Sequence, residues 1–557
     1  MLSLTDCRIK SALDWYSTLT RVKIAEMSLQ EQSVSGKLLK SGMIVSFMTL
    51  ISRVLGLIRD VIVANVLGAG AMADVFFMAN RIPNFLRRLF AEGAFSQAFV
   101  PVLAEVKEKH GDDAVRELIA KAAGTLGLVV TAVTLVAVIG SPLLMMLFGA
   151  GWFSAYLDGA PEGDKYLQAS FLLKITFPYL WFITFVALSG AVLNTYNKFA
   201  VAAFTPVFLN IAMIGAAIYL APQMQNPAEA IAWGVFLGGL IQFLFQLPFL
   251  ARAGLLVMPR WGWKDPNVTK IRTLMIPALF GVSVSQINLL LDAIIASFLV
   301  TGAVSWLYYS DRLLEFPLGL FGIAIATVIL PGLSRHYAAA SEAAFKYTLD
   351  WAVRFICLFG IPSMLGLIVL AEPIIASVFM RGEFSADDVV KTSYSLIAYN
   401  TGLVALMLIK VLAPAFYARQ DIKTPVRIAI IAMVANMGFN LMLAPFLSYV
   451  GLALATAMSG TLNAYLLYRG LKQRDIYSFS SKTSWFIAKA FIAAAVMAGC
   501  LFYVMPDLAG WIALGLSGQV LHLLAYFAFA IVAYFVLLFA FGVRLNDFKR
   551  QTNAESK

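Results

Sequence analysis

The stretch Ser52-Arg53-Val54-Leu55-Gly56-Leu57-Ile58-Arg59-Asp60 places three charged side chains inside a long apolar segment, residues 41–67. A segment of this length predicts a helix that crosses the bilayer, which requires about 20 apolar residues. A charge near the bilayer centre costs about 2.5 to 3.5 kcal/mol on insertion scales, so such charges usually face a wet cavity and a substrate. The stretch therefore predicts a membrane protein whose helices enclose a polar cavity.

A second stretch of the same kind, Arg81-Ile82-Pro83-Asn84-Phe85-Leu86-Arg87-Arg88-Leu89-Phe90-Ala91-Glu92-Gly93, lies in the next apolar segment. Arginine presents a planar fork of N–H donors that binds pairs of phosphate oxygens. The expected cargo of the cavity is therefore an anionic, phosphorylated molecule.

The composition also indicates a polytopic all-α membrane protein. Of 557 residues, 61% are hydrophobic and 13% are charged, and the mean hydropathy of +0.82 lies outside the soluble range. We count fourteen segments long enough to span the bilayer and number them spans 1 to 14. They are centred in residues 41–67, 72–103, 116–148, 166–195, 200–221, 229–251, 272–300, 303–333, 349–379, 391–417, 425–447, 449–469, 484–505 and 511–542.

Lys and Arg are concentrated in every second connection between the spans. The connection after span 6 contains Arg252, Arg260, Lys264 and Lys270, whereas residues 506–510 contain no basic residue. Cytoplasmic loops are the ones enriched in basic residues, so we predict a bacterial inner-membrane protein with both termini in the cytoplasm. This bias and the attraction of anionic membrane lipid explain the net charge of +11, and no nucleic-acid partner is predicted.

An internal repeat relates the two halves of the chain. Residues 74–85 in span 2 align with residues 305–316 in span 8, which puts Arg81 opposite Arg312. A repeat of six spans is even-numbered, so both halves have one orientation and a pseudo-two-fold axis along the membrane normal. The predicted domains are a poorly ordered cytosolic extension (1–36), an N-lobe with spans 1–6 (37–255), a C-lobe with spans 7–12 (256–475), two C-terminal helices (476–545) and a cytosolic tail (546–557).

Spans 1, 2 and 8 contain more arginines than deeply placed carboxylates. One alternative is that these charges form buried ion pairs, and Arg88 with Glu92, four residues apart on a helix, fits that alternative. We favour a substrate site because the arginines exceed the carboxylates that lie well inside the spans. The candidate substrate-binding arginines are Arg53, Arg59, Arg81, Arg87, Arg88 and Arg312.

A second candidate site offers oxygen atoms from spans 7, 11 and 12, namely those of Asp292, Asn436, Asn440 and Thr456. Carboxylate, amide and hydroxyl oxygens bind hard cations, and coupling ions bind within such helix bundles. We therefore predict a site for Na⁺ or for a proton. The alternative is that the amides and the hydroxyl only hydrogen-bond neighbouring helices.

The sequence contains no nucleotide-binding P-loop, zinc-protease motif or serine-hydrolase motif. Its three cysteines and three histidines are scattered without metal-ligand spacing. We therefore predict a transporter and not an enzyme, with no bound cofactor. An ion gradient or the membrane potential would supply the energy.

Four motifs resemble the MurJ (MviN) lipid II flippases: Ser52–Asp60, Asn84–Pro101, Tyr308–Pro317 and Lys410–Pro425. The resemblance extends from about residue 37 to the end. It implies the fold of the multidrug/oligosaccharidyl-lipid/polysaccharide exporters. It also implies that a central cavity carries lipid II, the undecaprenyl-diphosphate-linked peptidoglycan precursor, to the periplasmic leaflet for cell-wall synthesis.

The resemblance also assigns roles to residues. The required arginines of the family correspond to Arg53, Arg59, Arg87 and Arg312, a gate acid corresponds to Glu92, and further cavity charges correspond to Asp74 and Asp311. A sodium site of some members corresponds to Asp292, Asn436, Asn440 and Thr456. Those members have a carboxylate where this chain has Asn440, so the coupling ion, Na⁺ or H⁺, stays open. The expected partners are lipid II, membrane lipid and cell-wall synthesis enzymes, with the chain acting as a monomer.

Three other functions fit part of the sequence. A cation-coupled drug antiporter of the same fold would explain the acidic residues but would not require so many arginines. A flippase for another lipid-linked oligosaccharide would use the same arginines. A membrane enzyme acting on a lipid-diphosphate carrier would require a cluster of catalytic carboxylates or histidines at a membrane face.

Overall fold

The computed structural model describes residues 44–89 and 95–544, and the regular secondary structure in these two ranges is entirely helical. Within them, ten helices are long and apolar enough to cross a bilayer. The predicted all-helical membrane fold is confirmed. The number of fourteen spans stays a prediction.

The helices of the first half follow each other with short connections. They are α1 (44–67), α2 (Ala71–Leu86), α3 (Phe95–Ile139), α4 (Ser141–Phe148), α5 (Ala150–Leu157), α6 (Asp164–Thr176), α7 (Tyr179–Thr195), α8 (Phe199–Phe204), α9 (Pro206–Gly215) and α10 (Pro227–Arg252).

The second half continues in the same way and ends with the helices of spans 13 and 14. Its helices are α11 (Pro266–Ala296), α12 (Ala303–Pro317), α13 (Ala324–Ala338), α14 (Glu342–Val369), α15 (Ala371–Phe379), α16 (Ala386–Asn400), α17 (Leu403–Ala418), α18 (Lys423–Gln473), α19 (Ser481–Val504), α20 (Leu508–Ala513) and α21 (Gly515–Ala540).

Two long helices are each divided by one residue with a left-handed backbone. Gly111 (φ 77°, ψ −171°) divides α3 between the end of span 2 and span 3. Ser448 (φ 51°, ψ −135°) divides α18 between spans 11 and 12. A single residue of this kind is enough to end one helix and begin the next, because the hydrogen-bond ladder cannot continue through it.

The hydrophobic cores show how the halves are arranged. One core joins both halves and includes Phe76, Trp152, Trp306 and Tyr449. A second core combines residues of the first half with the start of α11, and a third core lies entirely C-terminal to Arg312. The first half and the helices from α12 onward therefore pack together at one end and have separate cores at the other end, where the sequence predicts the cytoplasm.

Helices α2 and α12, which correspond in the repeat, share an irregularity. Each contains a proline near its end, Pro83 and Pro317, and each continues into a π-helical turn, residues 87–89 and Leu318–Ile323. Proline removes a backbone donor and clashes with the preceding turn, and a π-helical turn is a common local adjustment at functional sites. The first turn carries Arg87 and Arg88, which line the space between the halves, and the second contacts Arg53 of α1 through Gly319.

Candidate functional site

A cavity of about 350 Å³ lies between the halves. Its walls come from α1, α2, α7, α9 and α10 of the first half and from α11 and α12 of the second. The charged residues of the described lining are Arg59, Asp60, Arg81, Arg87, Arg88, Asp311, Arg312 and Glu315. Five arginines face three carboxylates in this lining, so the described part of the cavity wall has a net positive charge and suits an anionic ligand.

Asp60 connects arginines from both halves. Its Oδ1 atom accepts hydrogen bonds from Nε and Nη2 of Arg59 at 3.0 and 2.7 Å and from the hydroxyl of Tyr308 at 3.1 Å. Its Oδ2 atom lies 3.7 Å from Nε of Arg312. The carboxylate therefore holds two guanidinium groups beside each other at the cavity wall.

The two guanidinium groups are oriented by further contacts. Nη1 of Arg59 donates to Oδ1 of Asn210 at 3.0 Å. Nη1 of Arg312 donates to Oε2 of Glu315 at 2.9 Å, and the guanidinium lies 4.8 Å from the ring centroid of Tyr308. These contacts reduce the conformational freedom of long side chains, which otherwise costs binding energy.

The structure brings six of the predicted residues to one cavity: Arg59, Arg81, Arg87, Arg88, Asp311 and Arg312. Sequence reasoning missed Tyr308 and Asn210 as parts of the site and considered Asp60 only as an ion-pair partner of the arginines, a pairing that the structure shows with Arg59 and Arg312. Asp60 was visible as the acid beside Arg59 in an apolar segment. Nothing in the sequence indicates that Asn210 contacts α1.

Two other predicted residues lie outside the lining of this cavity, and a third is not described. The side chain of Arg53 is exposed and lies against Gly319. Asp74 is buried in the contact between α2 and the start of α12, where its carboxylate accepts bonds from the N–H of Gly302 at 2.7 Å and from the N–H and hydroxyl of Ser305 at 2.9 and 2.6 Å. The predicted gate acid Glu92 lies outside the described residues.

More bonds close the cavity at the end near Asp74. The hydroxyl of Tyr309 donates to the carbonyl oxygen of Gly68 at 3.0 Å, and the N–H of Glu383 donates to the carbonyl oxygen of Asn65 at 3.0 Å. Nζ of Lys165 donates to the hydroxyl of Thr301 at 2.6 Å. Each of these bonds joins the two halves, so this end has to separate before the cavity can open there.

Three of the four predicted oxygen-donor residues, Asp292, Asn436 and Asn440, form a buried hydrogen-bonded chain, whereas the hydroxyl of Thr456 bonds within its own helix. Nδ2 of Asn440 donates to Oδ1 of Asp292 at 2.6 Å and to Oδ1 of Asn436 at 3.0 Å. Nδ2 of Asn436 donates to the hydroxyl of Ser459 at 3.3 Å, and the hydroxyl of Thr456 donates to the carbonyl oxygen of Leu452 at 3.0 Å.

The donor set of this chain fits a small hard cation in one orientation of Asn440. Oδ1 of Asn440 is buried and has no hydrogen-bond partner among the described residues. If the amide rotates by 180°, Oδ1 of Asn440 takes the place of Nδ2 and faces Oδ1 of Asp292 and Oδ1 of Asn436, so that three oxygens lie next to each other. Amide orientation is decided by the hydrogen-bond network, so a bound cation would favour this rotation.

An apolar groove of about 540 Å³ lies on the outside of the second half. It is lined by side chains of α14, α19 and α21 and by residues from the end of α12 into the π-helical turn, among them Phe316, Pro317, Leu320 and Phe321. Ser363 and Tyr534 carry the only hydroxyl groups of the described lining, and none of its residues is charged. The groove is suited to a hydrocarbon chain.

The family described as "Lipid II flippase MurJ" matches residues 63–516. A "Probable lipid II flippase MurJ" from Vibrio cholerae is 62% identical over 522 residues, which cover 94% of this chain and 99% of the relative. A "Lipid II flippase MurJ" from Burkholderia cenocepacia is 39% identical over 515 residues, which cover 91% of this chain and 98% of the relative.

A solved structure of the same family is also similar to this chain. The structure titled "Lipid II flippase MurJ, inward closed conformation" aligns with a TM-score of 0.75 and 28% identity, covering 90% of this chain and 98% of that chain. An inward-facing multidrug resistance MATE family transporter of the MOP superfamily aligns with a TM-score of 0.63 and 12% identity. The alignment covers 83% of this chain and 99% of that chain and shows similarity of fold alone. The resemblance seen in the sequence motifs is confirmed: the chain belongs to the MurJ family of lipid II flippases, which are transporters and not enzymes.

Proposed function

We propose that this protein moves lipid II from the cytoplasmic to the periplasmic leaflet of the bacterial inner membrane for cell-wall synthesis. The observation that carries the proposal is the pair Arg59 and Arg312, which comes from both halves and is held at the cavity wall by Asp60. Two oriented guanidinium groups match the charge and the geometry of a diphosphate.

The charge of the described lining supports this ligand. Its five arginines outnumber its three carboxylates, which favours an anionic ligand such as a diphosphate. The diphosphate would replace Asp60 as the acceptor for part of the N–H donors. Since Asp60 stays nearby, it can form its ion pairs with Arg59 and Arg312 again when the diphosphate leaves, which makes binding reversible.

The groove supports a lipid-linked cargo over a soluble one. It lies against α19 and α21 and ends at the π-helical turn after α12. The undecaprenyl chain would lie in this groove or in the adjacent bilayer, while the sugar-peptide headgroup enters the cavity. Only the headgroup then has to cross the hydrocarbon region inside the protein.

Transport requires the halves to open at the opposite end. In this structure the bonds of Asp74, Tyr309 and Lys165 close that end, and the cores are separate at the predicted cytoplasmic end. Breaking these bonds while the cytoplasmic end closes would expose the headgroup to the periplasm. Alternating access of this kind is the usual mechanism of transporters built from two repeats.

The chain of Asp292, Asn440 and Asn436 is proposed as the coupling-ion site. The unpaired Oδ1 atom of Asn440 supports Na⁺ binding after rotation of the amide. A proton is the alternative ion, and Asp292, the carboxylate that accepts the bond from Asn440, is the group that would bind and release it. The membrane potential adds about 2.3 kcal/mol per charge for each 100 mV.

The orientation and the assembly are also proposals. Basic residues in alternate connections support cytoplasmic termini. The cavity and the groove are both formed within one chain, which supports a monomer as the transporting unit. Contacts with cell-wall synthesis enzymes stay a prediction from the family.

The test is depletion of the protein in its host, followed by measurement of the leaflet that holds lipid II. We expect accumulation in the cytoplasmic leaflet, reversed by the wild-type protein and not by Arg312→Ala. Lys174→Ala is the matched control, because Lys174 is an intramembrane cation outside the described cavity lining. Normal exposure of lipid II in the periplasm, in a host without a second flippase, would support an antiporter or a different lipid-linked cargo.

A further inference from the structure

Arg53 and Gly319 form a contact outside the cavity that the proposed function does not explain. We propose that Gly319 is a positioning residue, which lets Arg53 lie across the π-helical turn Leu318–Ile323 and bind the diphosphate of a polyprenyl lipid before the headgroup enters the cavity. This inference rests on the proposed function and adds an entry site to it.

The first support is the close approach of the two residues. A β-carbon on Gly319 would lie 2.5 Å from Nη1 of Arg53, 3.4 Å from its Cζ and 3.5 Å from its Nη2. The guanidinium therefore occupies the space that any side chain at position 319 would fill.

The second support is the free charge of Arg53. Among residues 44–89 and 95–544, none accepts a hydrogen bond from Arg53 or forms an ion pair with it. Arg59 and Arg312 differ, because both are bonded to carboxylates. An unpaired guanidinium within an apolar helix is costly unless water or an anionic ligand reaches it, and all of its donors remain available to a phosphate.

The third support is the position along the helices. Contacts between α1 and the segment after Gly302 run antiparallel: Gly68 contacts Tyr309, Asp60 contacts Arg312 and Arg53 contacts Gly319. Arg53 precedes Arg59 by six residues, which is about 9 Å along a helix. It lies toward the end where the cores are separate, so a ligand entering from that end reaches Arg53 first.

The fourth support is the apolar groove on the same turn. Pro317, Leu320 and Phe321 line the groove, while Gly319 faces Arg53. This helical turn therefore contacts the unpaired guanidinium of Arg53 on one side and forms part of a hydrocarbon-binding surface on another. A molecule that joins a phosphate group to a long apolar chain can contact both surfaces at once, which neither a soluble anion nor an uncharged lipid can do.

Glycine is required here for the placement of Arg53 and not for folding. The methyl group of alanine at position 319 would meet the flexible end of Arg53, so the arginine would move away and the backbone would not be disturbed. Gly322 on the same turn is a matched control. A β-carbon there would meet Leu318, Lys410 and Met407 at 3.5 to 3.9 Å, which is ordinary van der Waals contact.

The test measures binding to the purified full-length protein by native mass spectrometry. The variants are Gly319→Ala, Gly322→Ala, Arg53→Ala and the double variant Gly319→Ala/Arg53→Ala, and the probes are lipid II, undecaprenyl diphosphate and undecaprenol. We expect Gly319→Ala and Arg53→Ala each to weaken binding of the two diphosphates about tenfold, the effect of about one charge-assisted hydrogen bond. The double variant should bind as Arg53→Ala does, because the two residues act through one contact.

Three results distinguish the positioning role of Gly319 from a purely structural role and from a wrong cargo. Undecaprenol binding should be the same in all variants, and the thermal unfolding midpoint should be the same in Gly319→Ala as in Gly322→Ala, since alanine replaces glycine in the same helical turn in both and a structural role of Gly319 would separate them. Equal diphosphate binding by Gly319→Ala and Gly322→Ala, or losses that add in the double variant, would overturn the inference. Failure of the wild-type protein to bind lipid II while it binds undecaprenyl diphosphate would overturn the proposed cargo and leave the role of Gly319 intact.

Discussion

The carboxylate of Asp74 accepts hydrogen bonds from the N–H and the hydroxyl of Ser305, at 2.9 and 2.6 Å, across a separation of 231 positions. The internal repeat aligns these same two residues. Phe77 and Tyr308, which also correspond in the repeat, stack with their ring centroids 3.8 Å apart. Contact between equivalent residues is what a two-fold axis produces, so the pseudo-two-fold axis passes between α2 and α12.

The bonds of Asp74 are expected to stabilise the conformation that is closed at this end. Asp74→Asn removes the charge and one acceptor, and a hydrogen bond to a charged group contributes about 1.5 to 3 kcal/mol. We expect a shift toward the conformation that is open there, measured as a longer distance between spin labels at Met72 and Phe298. Ser305→Ala should produce a smaller shift of the same sign, and unchanged distances in both variants would show that other contacts hold this end closed.

Asp60 is expected to oppose the binding of substrate and to assist its release. In Asp60→Asn, the guanidinium groups of Arg59 and Arg312 lose a competing carboxylate, so lipid II should bind about tenfold more tightly. Transport should nevertheless slow, because no carboxylate at position 60 then replaces lipid II on the two arginines during its release. Binding by native mass spectrometry and lipid II exposure in depleted cells measure the two effects, and weaker binding would assign Asp60 to orienting the arginines alone.

The fork geometry of Arg312 is expected to matter beyond its charge. Arg312 both donates to Glu315 and lies over Tyr308. Lysine keeps the charge but cannot bind in a bidentate manner or stack as a plane. Arg312→Lys should therefore fail to restore growth after depletion of the wild-type protein. Growth restored by lysine would reduce the role of Arg312 to charge neutralisation.

The identity of residue 440 is expected to decide the response to sodium. In Asn440→Asp, two carboxylates lie together in the buried chain with Asn436, and a cation would relieve their repulsion. We expect a higher thermal unfolding midpoint in NaCl than in KCl for this variant, since a bound ion stabilises the folded state. Adding Asp292→Asn should abolish the difference, and equal midpoints in Asn440→Asp itself would exclude a sodium site here.

A loop on the predicted cytoplasmic side gives a dependence of stability on pH. Hydrogen bonds from Thr424 and the nearby Arg474 guanidinium lower the pKa of Asp421 to about 2. Because the pKa is lower in the folded state, the pair stabilises the fold above about pH 4 and loses its effect as the pH falls through 2. Asp421→Asn should therefore be less stable than wild type at pH 7, by less than about 1 kcal/mol because the pair is partly exposed, and this difference should shrink toward pH 2.

The sequence by itself determined the fold class and which helices carry the arginines, because the bilayer requires long apolar helices and makes each intramembrane charge conspicuous. The alignment of Asp74 with Ser305 and of Arg81 with Arg312 was also visible in the sequence. The tertiary structure alone decided that Asp60 is shared by two arginines, that Asp74 joins the halves at the closed end, and that Arg53 lies on Gly319 outside the cavity. The physical reason is that these roles depend on contacts between residues more than 200 positions apart, whose geometry follows from how the helices pack and not from the hydropathy of any one helix.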